Sequence, residues 1–119
     1  MPQGVIFVVD DEAVIAETLA LILRKRDYTA WPFSRPHEAL AAAAGLKPDL
    51  LLSDYLMPEM NGLALAEQLL EQCPECKVLM VSGAVPQAVR HPAAEKYEFL
   101  EKPVAPEFML AKVEAALKK

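Results

Sequence analysis

Five polar residues stand where apolar runs end, and their types suit one kind of chemistry. Asp10 and Asp11 follow Val5-Ile6-Phe7-Val8-Val9. Asp54 closes Asp49-Leu50-Leu51-Leu52-Ser53-Asp54, Ser82 follows Val78–Val81, and Lys102 follows Tyr97–Glu101. If the first and third runs are neighbouring strands, three carboxylates converge at one edge, and they cannot all stay charged at close range without a cation. A hard dication answers that need, and Mg2+ commonly takes one or two carboxylates plus waters and phosphate oxygens. A Lys ammonium suits a phosphate oxygen, and a Ser hydroxyl can donate to another. One carboxylate beside the metal can act as a nucleophile and form an aspartyl phosphate. Phosphoryl transfer needs mainly positioning and charge neutralisation, and this set supplies both.

Each residue also has a plainer reading. Asp10-Asp11-Glu12 suits the start of a helix, where carboxylates are favoured; Asp54 and Ser82-Gly83 suit turns; Lys102 suits a solvated surface. What favours the joint reading is the pattern that positions them. Val5–Val9 is continuously apolar, as a parallel strand covered on both faces should be. Glu12 to Arg26 reads as a helix with a wide buried stripe, built from Ile15, Leu19 and Ile22 together with Val14, Thr18 and Leu21. Lys25 and Arg26 in its last turn complement the helix dipole. Tyr28–Phe33 is a second strand, and Pro32 places it at a sheet edge because it cannot donate a ladder hydrogen bond. Ser34 is the expected N-cap of a helix over 35–44, with Gly45 as its stop. Asp49–Asp54 is a third strand. Pro58 and Gly62 bracket the loop after it, and a helix then runs to about Gln72 with Leu65/Leu69 and Ala66/Leu70 pairs. Val78–Val81 and Tyr97–Glu101 are the fourth and fifth strands, and Pro106 opens a last helix carrying Phe108, Leu110, Val113 and Leu117. Strands alternating with helices predict a parallel sheet covered on both faces. In such sheets the ligand site lies outside the carboxyl ends of the strands, which is where all five polar residues fall.

Composition narrows the function classes. The chain has 119 residues, 54% of them hydrophobic, enough for one domain over 1–119 and too few for two. Twelve Lys and Arg against 17 Asp and Glu leave a net charge of −5, so direct nucleic-acid binding through a basic face is not expected. The apolar stretches at 5–9, 13–23 and 39–46 all fall short of the roughly 18 residues a membrane span needs. Met1-Pro2-Gln3-Gly4 lacks the basic region of a signal peptide, so a soluble cytoplasmic protein is expected.

The chain resembles the receiver domain of two-component response regulators from Val5 to Leu117. The pieces that carry the resemblance are Val8-Val9-Asp10-Asp11-Glu12, Pro48 to Asp54, Met57-Pro58-Glu59-Met60-Asn61-Gly62, Ser82-Gly83, and Phe99-Leu100-Glu101-Lys102-Pro103. It implies a flavodoxin-like (βα)5 fold: a doubly wound, parallel, five-stranded sheet with strand order 2-1-3-4-5. It implies a phosphorylation-activated switch in which Asp54 accepts a phosphoryl group from a sensor histidine kinase or a histidine phosphotransfer protein. Asp10, Asp11, Asp54 and the backbone carbonyl of Leu56 would hold Mg2+. Ser82 would bond the phosphoryl group and move inward, and Lys102 would pair with a phosphoryl oxygen, its bond to Pro103 being typically cis in the family. Phe99 would rotate between outward and inward states; Tyr97 is its rival by residue type, but its spacing to Lys102 is wrong. A downstream effector or an output domain would read the change, on a surface made by the fourth helix, fifth strand and fifth helix.

Three departures from the family pattern stand out. Leu56 and Ala84, which should flank the phosphoryl group, are apolar and cannot align a water, so a long-lived aspartyl phosphate is expected. The fourth helix should lie in 84–96, yet Pro92 would fall in its interior at a cost of about 3 kcal/mol or more, so a helix begun at Pro86 should end near Val89–His91. Cys73-Pro74-Glu75-Cys76 has C-x-x-C spacing, but structural zinc wants four ligands and His37 and His91 are far away in sequence. The motif closes a helix where a thioredoxin-like pair would open one, and it reads as two reduced thiols in a turn. His37 and His91 read as surface residues, and Trp31 as packing at the edge strand. Other classes on this fold are a flavin-binding electron carrier, disfavoured because Asp10-Asp11-Glu12 would repel a phosphate, and an aspartate-nucleophile phosphatase, disfavoured because a D-x-D pattern after the first strand is missing. A receiver that is not phosphorylated is disfavoured because every site position is filled. The switch itself turns over no external substrate, so the chain is not expected to be an enzyme proper.

Overall fold

A computed structural model describes residues 3–83 and 96–118 of the chain. Five strands, β1 (Val5–Val9), β2 (Thr29–Phe33), β3 (Leu50–Asp54), β4 (Lys77–Ser82) and β5 (Glu98–Glu101), form one sheet in the order β2-β1-β3-β4-β5. All four pairings are parallel. The described helices are α1 (Ala13–Arg24), α2 (Pro36–Leu46), α3 (Gly62–Gln72) and the C-terminal helix (Pro106–Leu117). This is the doubly wound, flavodoxin-like sheet expected, and β2, with Pro32, lies at its edge as expected. The fourth-helix region, with Ala84, Pro86, His91 and Pro92, lies outside the described residues.

Strand alternation divides the core. Ile6, Val8, Leu50, Leu52, Leu79 and Val81 face α1 and the C-terminal helix. Phe7, Val9, Leu51 and Met80 face α2 and α3. Helices cover both faces, which is why these strands read as unbroken apolar runs. Each fully buried Leu, Ile, Phe or Met side chain contributes about 1.5–3 kcal/mol.

Several boundaries and one face differ from expectation. The buried stripe of α1 is Ala16, Ala20 and Leu23. Ile15, Leu19 and Ile22 are only half-buried at its flank. Val14 and Leu21 are 74% and 52% exposed, because with Thr18 they occupy the turn of helix opposite Ala16. Small Ala side chains let α1 lie close on the sheet, so the stripe is narrower than the run of apolar residues. α1 also ends at Arg24, leaving Lys25 and Arg26 beyond it. Asp27 adopts φ 75°, a left-handed conformation Asp tolerates, and the chain turns into β2. In α2 the N-cap is Arg35 in place of Ser34, since Pro36 occupies the first helical position that suits its fixed φ. The helix passes through Gly45 and stops at Lys47, at φ 49°. Pro48 disfavours a right-handed helical conformation at the residue before it, so the proline sets the stop. Phe108 is 52% exposed, although it lies on the last helix as expected.

Candidate functional site

Register assembles the site. Val9 pairs with Ser53, which sets the next residues, Asp10 and Asp54, side by side at the ends of adjacent strands. Asp54 pairs with Val81, and Ser82 with Glu101. The Lys102 N–H donates to the Ser82 carbonyl at 3.0 Å, tying the start of the last loop to the end of β4. The Lys102–Pro103 bond is cis.

The side chains meet there. Lys102 Nζ lies 3.3 Å from Asp10 Oδ2 and 3.2 Å from Asp54 Oδ2. Asp10 Oδ1 accepts the Glu12 N–H at 2.9 Å, so the same carboxylate fixes the turn leading into α1 and faces the site. Asp10 and Asp54 are buried, and Asp11 is exposed beside them. One carboxylate oxygen from each of Asp10, Asp11 and Asp54 lies within 4.8 Å of the others.

Among the described residues, one ammonium is therefore shared by two buried carboxylates, with a third beside them. Burial pushes the Asp54 carboxyl up to about 6, with Asp10 and Asp11 acting in the same direction against Lys102. Burial pulls the Lys102 ammonium down, but Asp54 and Asp10 outweigh it and hold Lys102 above its ordinary value. An all-oxygen, net-negative donor set with one solvent-facing carboxylate fits a small hard dication such as Mg2+. A dication would bring the positive charge that the cluster lacks, and would then offset the negative oxygens of a phosphoryl group placed there.

The remaining expected residues fall around this cluster. Ser82 is buried at the end of β4. Phe99 is half-buried on the α3 face, its ring 5.8 Å from that of Tyr55 in an edge-on arrangement. Tyr97 is half-buried on the same face. Leu56 lies on the loop after Asp54 with its side chain 61% exposed. His37 is exposed.

Three supporting residues were not assigned these roles from sequence. Gly62 donates its N–H to the Tyr55 carbonyl at 2.7 Å. A Cβ there would lie 2.6 Å from the Asp54 carbonyl oxygen and 2.8 Å from Met80 Sδ, so the start of α3 can sit against the acceptor strand only with glycine. Asn61 Oδ1 caps α3 by accepting the Ala64 N–H at 2.9 Å. The Asn-Gly pair just before an apolar helical run was a readable signal for both. Tyr55 carried no such signal, because its contact with Phe99 depends on the pairing of three strands.

The family model for the response regulator receiver domain matches residues 6–114. The DNA-binding transcriptional regulator NtrC of Salmonella typhimurium is 34% identical over 119 residues, covering 98% of this chain and 25% of that protein. The DNA-binding response regulator MtrA of Mycolicibacterium paratuberculosis is 29% identical over 125 residues, covering 96% of this chain and 51% of its own. Among solved structures, NtrX from Brucella abortus in complex with ADP superposes with a TM-score of 0.86 at 32% identity, over 98% of this chain and 27% of that one. Chemotaxis protein CheY4 of Vibrio cholerae shares the fold, with a TM-score of 0.84 at 24% identity over 95% and 98% of the two chains. The chain thus spans about a quarter of the length of NtrC and about half that of MtrA. Neither the flavin carrier nor the phosphatase reading finds support in these matches.

Proposed function

The chain belongs to the response regulator receiver family, and from that premise we propose that it is a phosphorylation-activated switch whose acceptor is Asp54. The observation that carries the reading is the convergence of Asp10, Asp11 and Asp54 within 4.8 Å, with Lys102 bonded to two of them. Asp54 Oδ attacks the phosphorus of a phosphohistidine, and the imidazole leaves. Asp10, Asp11, Asp54 and the Leu56 carbonyl would hold Mg2+, which would neutralise phosphoryl charge. Lys102 takes one phosphoryl oxygen, leaving its contact with the acceptor carboxylate. Ser82 donates to another by moving toward Asp54, and Phe99 follows into the space vacated, so that two packings compete.

The donor in this reading is a sensor histidine kinase or a histidine phosphotransfer protein, and the chemistry is confined to the chain's own phosphorylation and dephosphorylation. Among the described residues no helix is long and apolar enough to cross a membrane, and we place the protein in the cytoplasm. Residues 1–119 act as a single receiver domain, read by an effector or an output domain. The NtrC and MtrA relatives are named as DNA-binding, which stands against the expectation of no direct nucleic-acid binding. In this reading DNA contact is not made by the acidic surface of residues 1–119, whose net charge is −5.

The test is intact mass after incubation with Mg2+ and acetyl phosphate. The wild-type chain should gain one phosphoryl group, and Asp54→Asn should gain none. Persistent labelling of the Asn variant would overturn the assignment.

A further inference from the structure

Two nucleophiles play no part in the chemistry above: Cys73 and Cys76, at the end of the sheet opposite Asp54. Cys73 caps the end of α3, its N–H donating to the Leu69 carbonyl at 2.8 Å, and Cys76 immediately precedes β4. The Cys76 N–H returns to the Cys73 carbonyl at 3.0 Å, closing a β-turn with Pro74 and Glu75 at its centre. A β-turn holds its first and last Cα within about 7 Å, and a disulfide needs about 4.4–6.8 Å. Proline at the second position fixes the φ this turn requires. The turn therefore holds the two cysteines in bridging range while both are reduced. Their sulfurs now face different carbonyls, Cys73 Sγ that of Ala43 at 4.0 Å and Cys76 Sγ that of Lys77 at 3.4 Å, so closure proceeds by side-chain rotation.

Access to the two thiols is unequal. Cys73 is half-buried, and both cysteines border a cleft of about 920 Å3 that also presents Lys47, Lys77, Asp49 and Glu75. Cys76 is buried in the core on the α2–α3 side. Burial pushes its thiol up to about 12, with Cys73 and Asp49 adding to the effect, so Cys76 stays protonated while Cys73 reacts first. Both signs of charge around the cleft suit a small molecule carrying carboxylates and an ammonium.

We propose that Cys73-Pro74-Glu75-Cys76 is a reversible thiol–disulfide site whose oxidant is a small zwitterionic disulfide of the oxidised glutathione class. The Cys73 thiolate attacks one sulfur of that disulfide. The S–S bond breaks, and one small thiolate leaves and takes up the proton Cys73 released. Cys76 then gives its proton to solvent and attacks the Cys73 sulfur, and the second small thiolate leaves and is protonated. The protein loses two electrons and two protons, and one small disulfide becomes two thiols. The bridge joins the end of α3 to the start of β4, the two elements whose other ends pack on Asp54 and carry Ser82.

The experiment is intact-mass analysis of the whole chain after incubation with oxidised glutathione. Wild type should lose the mass of two hydrogens, retain no adduct, and regain its mass with dithiothreitol. Cys76→Ala, which removes the thiol without placing a polar group in the core, should retain one glutathione on Cys73. Cys73→Ser should neither close nor acquire an adduct. A stable adduct on wild type, an unchanged mass or a disulfide-linked dimer would each overturn the proposal, as would Cys73→Ser reacting through Cys76. The wild-type measurement decides without any variant, and its outcome is separate from whether Asp54 is labelled.

Discussion

Aspartates serve the two ends of this sheet in opposite ways. At the amino ends of the strands, Asp49 is exposed and engaged in three hydrogen bonds. Its Oδ2 accepts the Val5 N–H at 2.8 Å, its N–H donates to the Val5 carbonyl at 2.7 Å, and its carbonyl accepts the Lys77 N–H at 2.9 Å. At the carboxyl ends, Asp10 and Asp54 are buried side by side, share one ammonium and stand next to Asp11. The first aspartate spends its hydrogen bonds on fixing β1 against β3 and β4. The second pair keeps an electrostatic deficit that native packing alone does not remove. A buried carboxyl left with such a deficit is poised for a ligand, whereas a satisfied exposed one is part of the scaffold.

The contrast is broken most directly through Lys102. Lys102→Ala removes the cation that the buried pair shares among the described residues and a contact to the incoming phosphoryl group. Losing one such preorganised charge should slow labelling by acetyl phosphate roughly 100-fold. Asp49→Ala, at the other end, should leave the labelling rate within about twofold while lowering stability by about 1 kcal/mol through its lost hydrogen bond. Equal effects on labelling would show that the two ends are not functionally distinct.

Gly62→Ala probes how closely the scaffold supports the acceptor. The nearest atom a Cβ would meet is the Asp54 carbonyl oxygen at 2.6 Å, and backbone does not yield as a flexible side chain does. Overpacking of this kind costs about 1–3 kcal/mol, read as a lowered Tm. An unchanged Tm would show that α3 does not bear on the end of β3.

The deficit should also be visible as pH-dependent stability in Mg2+-free buffer. A carboxyl whose folded pKa lies at about 6, above its unfolded value of 3.8, holds its proton more tightly when folded. Wild type is therefore penalised above pH 6 and relieved as pH falls toward 4. Asp54→Asn removes the penalty, so it should exceed wild type in stability by about 1–2 kcal/mol at pH 8, and the gap should close by pH 4. Denaturant titrations across that range check it. A gap that grows on acidification would reverse the sign of the argument.

The smallest expected effect concerns Leu56. It offers no hydrogen bond with which to align an attacking water, so Leu56→Asn should shorten the phosphoprotein lifetime a few-fold through better positioning. Decay of the label after donor removal measures it. A parent that decays as fast as the variant would show that Leu56 does not protect the bond.

Much of this was legible in the residues. Val5–Val9, Leu50–Asp54 and the residues after them were readable as strands and strand ends because a strand buried on both faces is apolar along most of its length and turns polar near its end. Pro32 gave away the edge because a missing N–H cannot be hidden in a central strand. Where local signals competed, the stronger backbone constraint prevailed. Ser34 and Gly45 are good cap and stop residues, but Pro36 and Pro48 constrain their neighbours more strongly and moved both ends of α2. The run of apolar residues in α1 exceeded what one face can bury, and only the sheet beneath it selected Ala16, Ala20 and Leu23 over Val14 and Leu21.

What the sequence alone determined is therefore the set of reactive groups and the strand ends that carry them, because residue type and the period of burial are local properties. The tertiary structure decided what those groups experience. The placement of Lys102 between Asp10 and Asp54, the shared site of Asp11, the glycine-only approach of α3 to Asp54 and the contact of Phe99 with Tyr55 all depend on strand order and register. Those are set by how the whole chain buries its apolar surface, and no short stretch of residues encodes them.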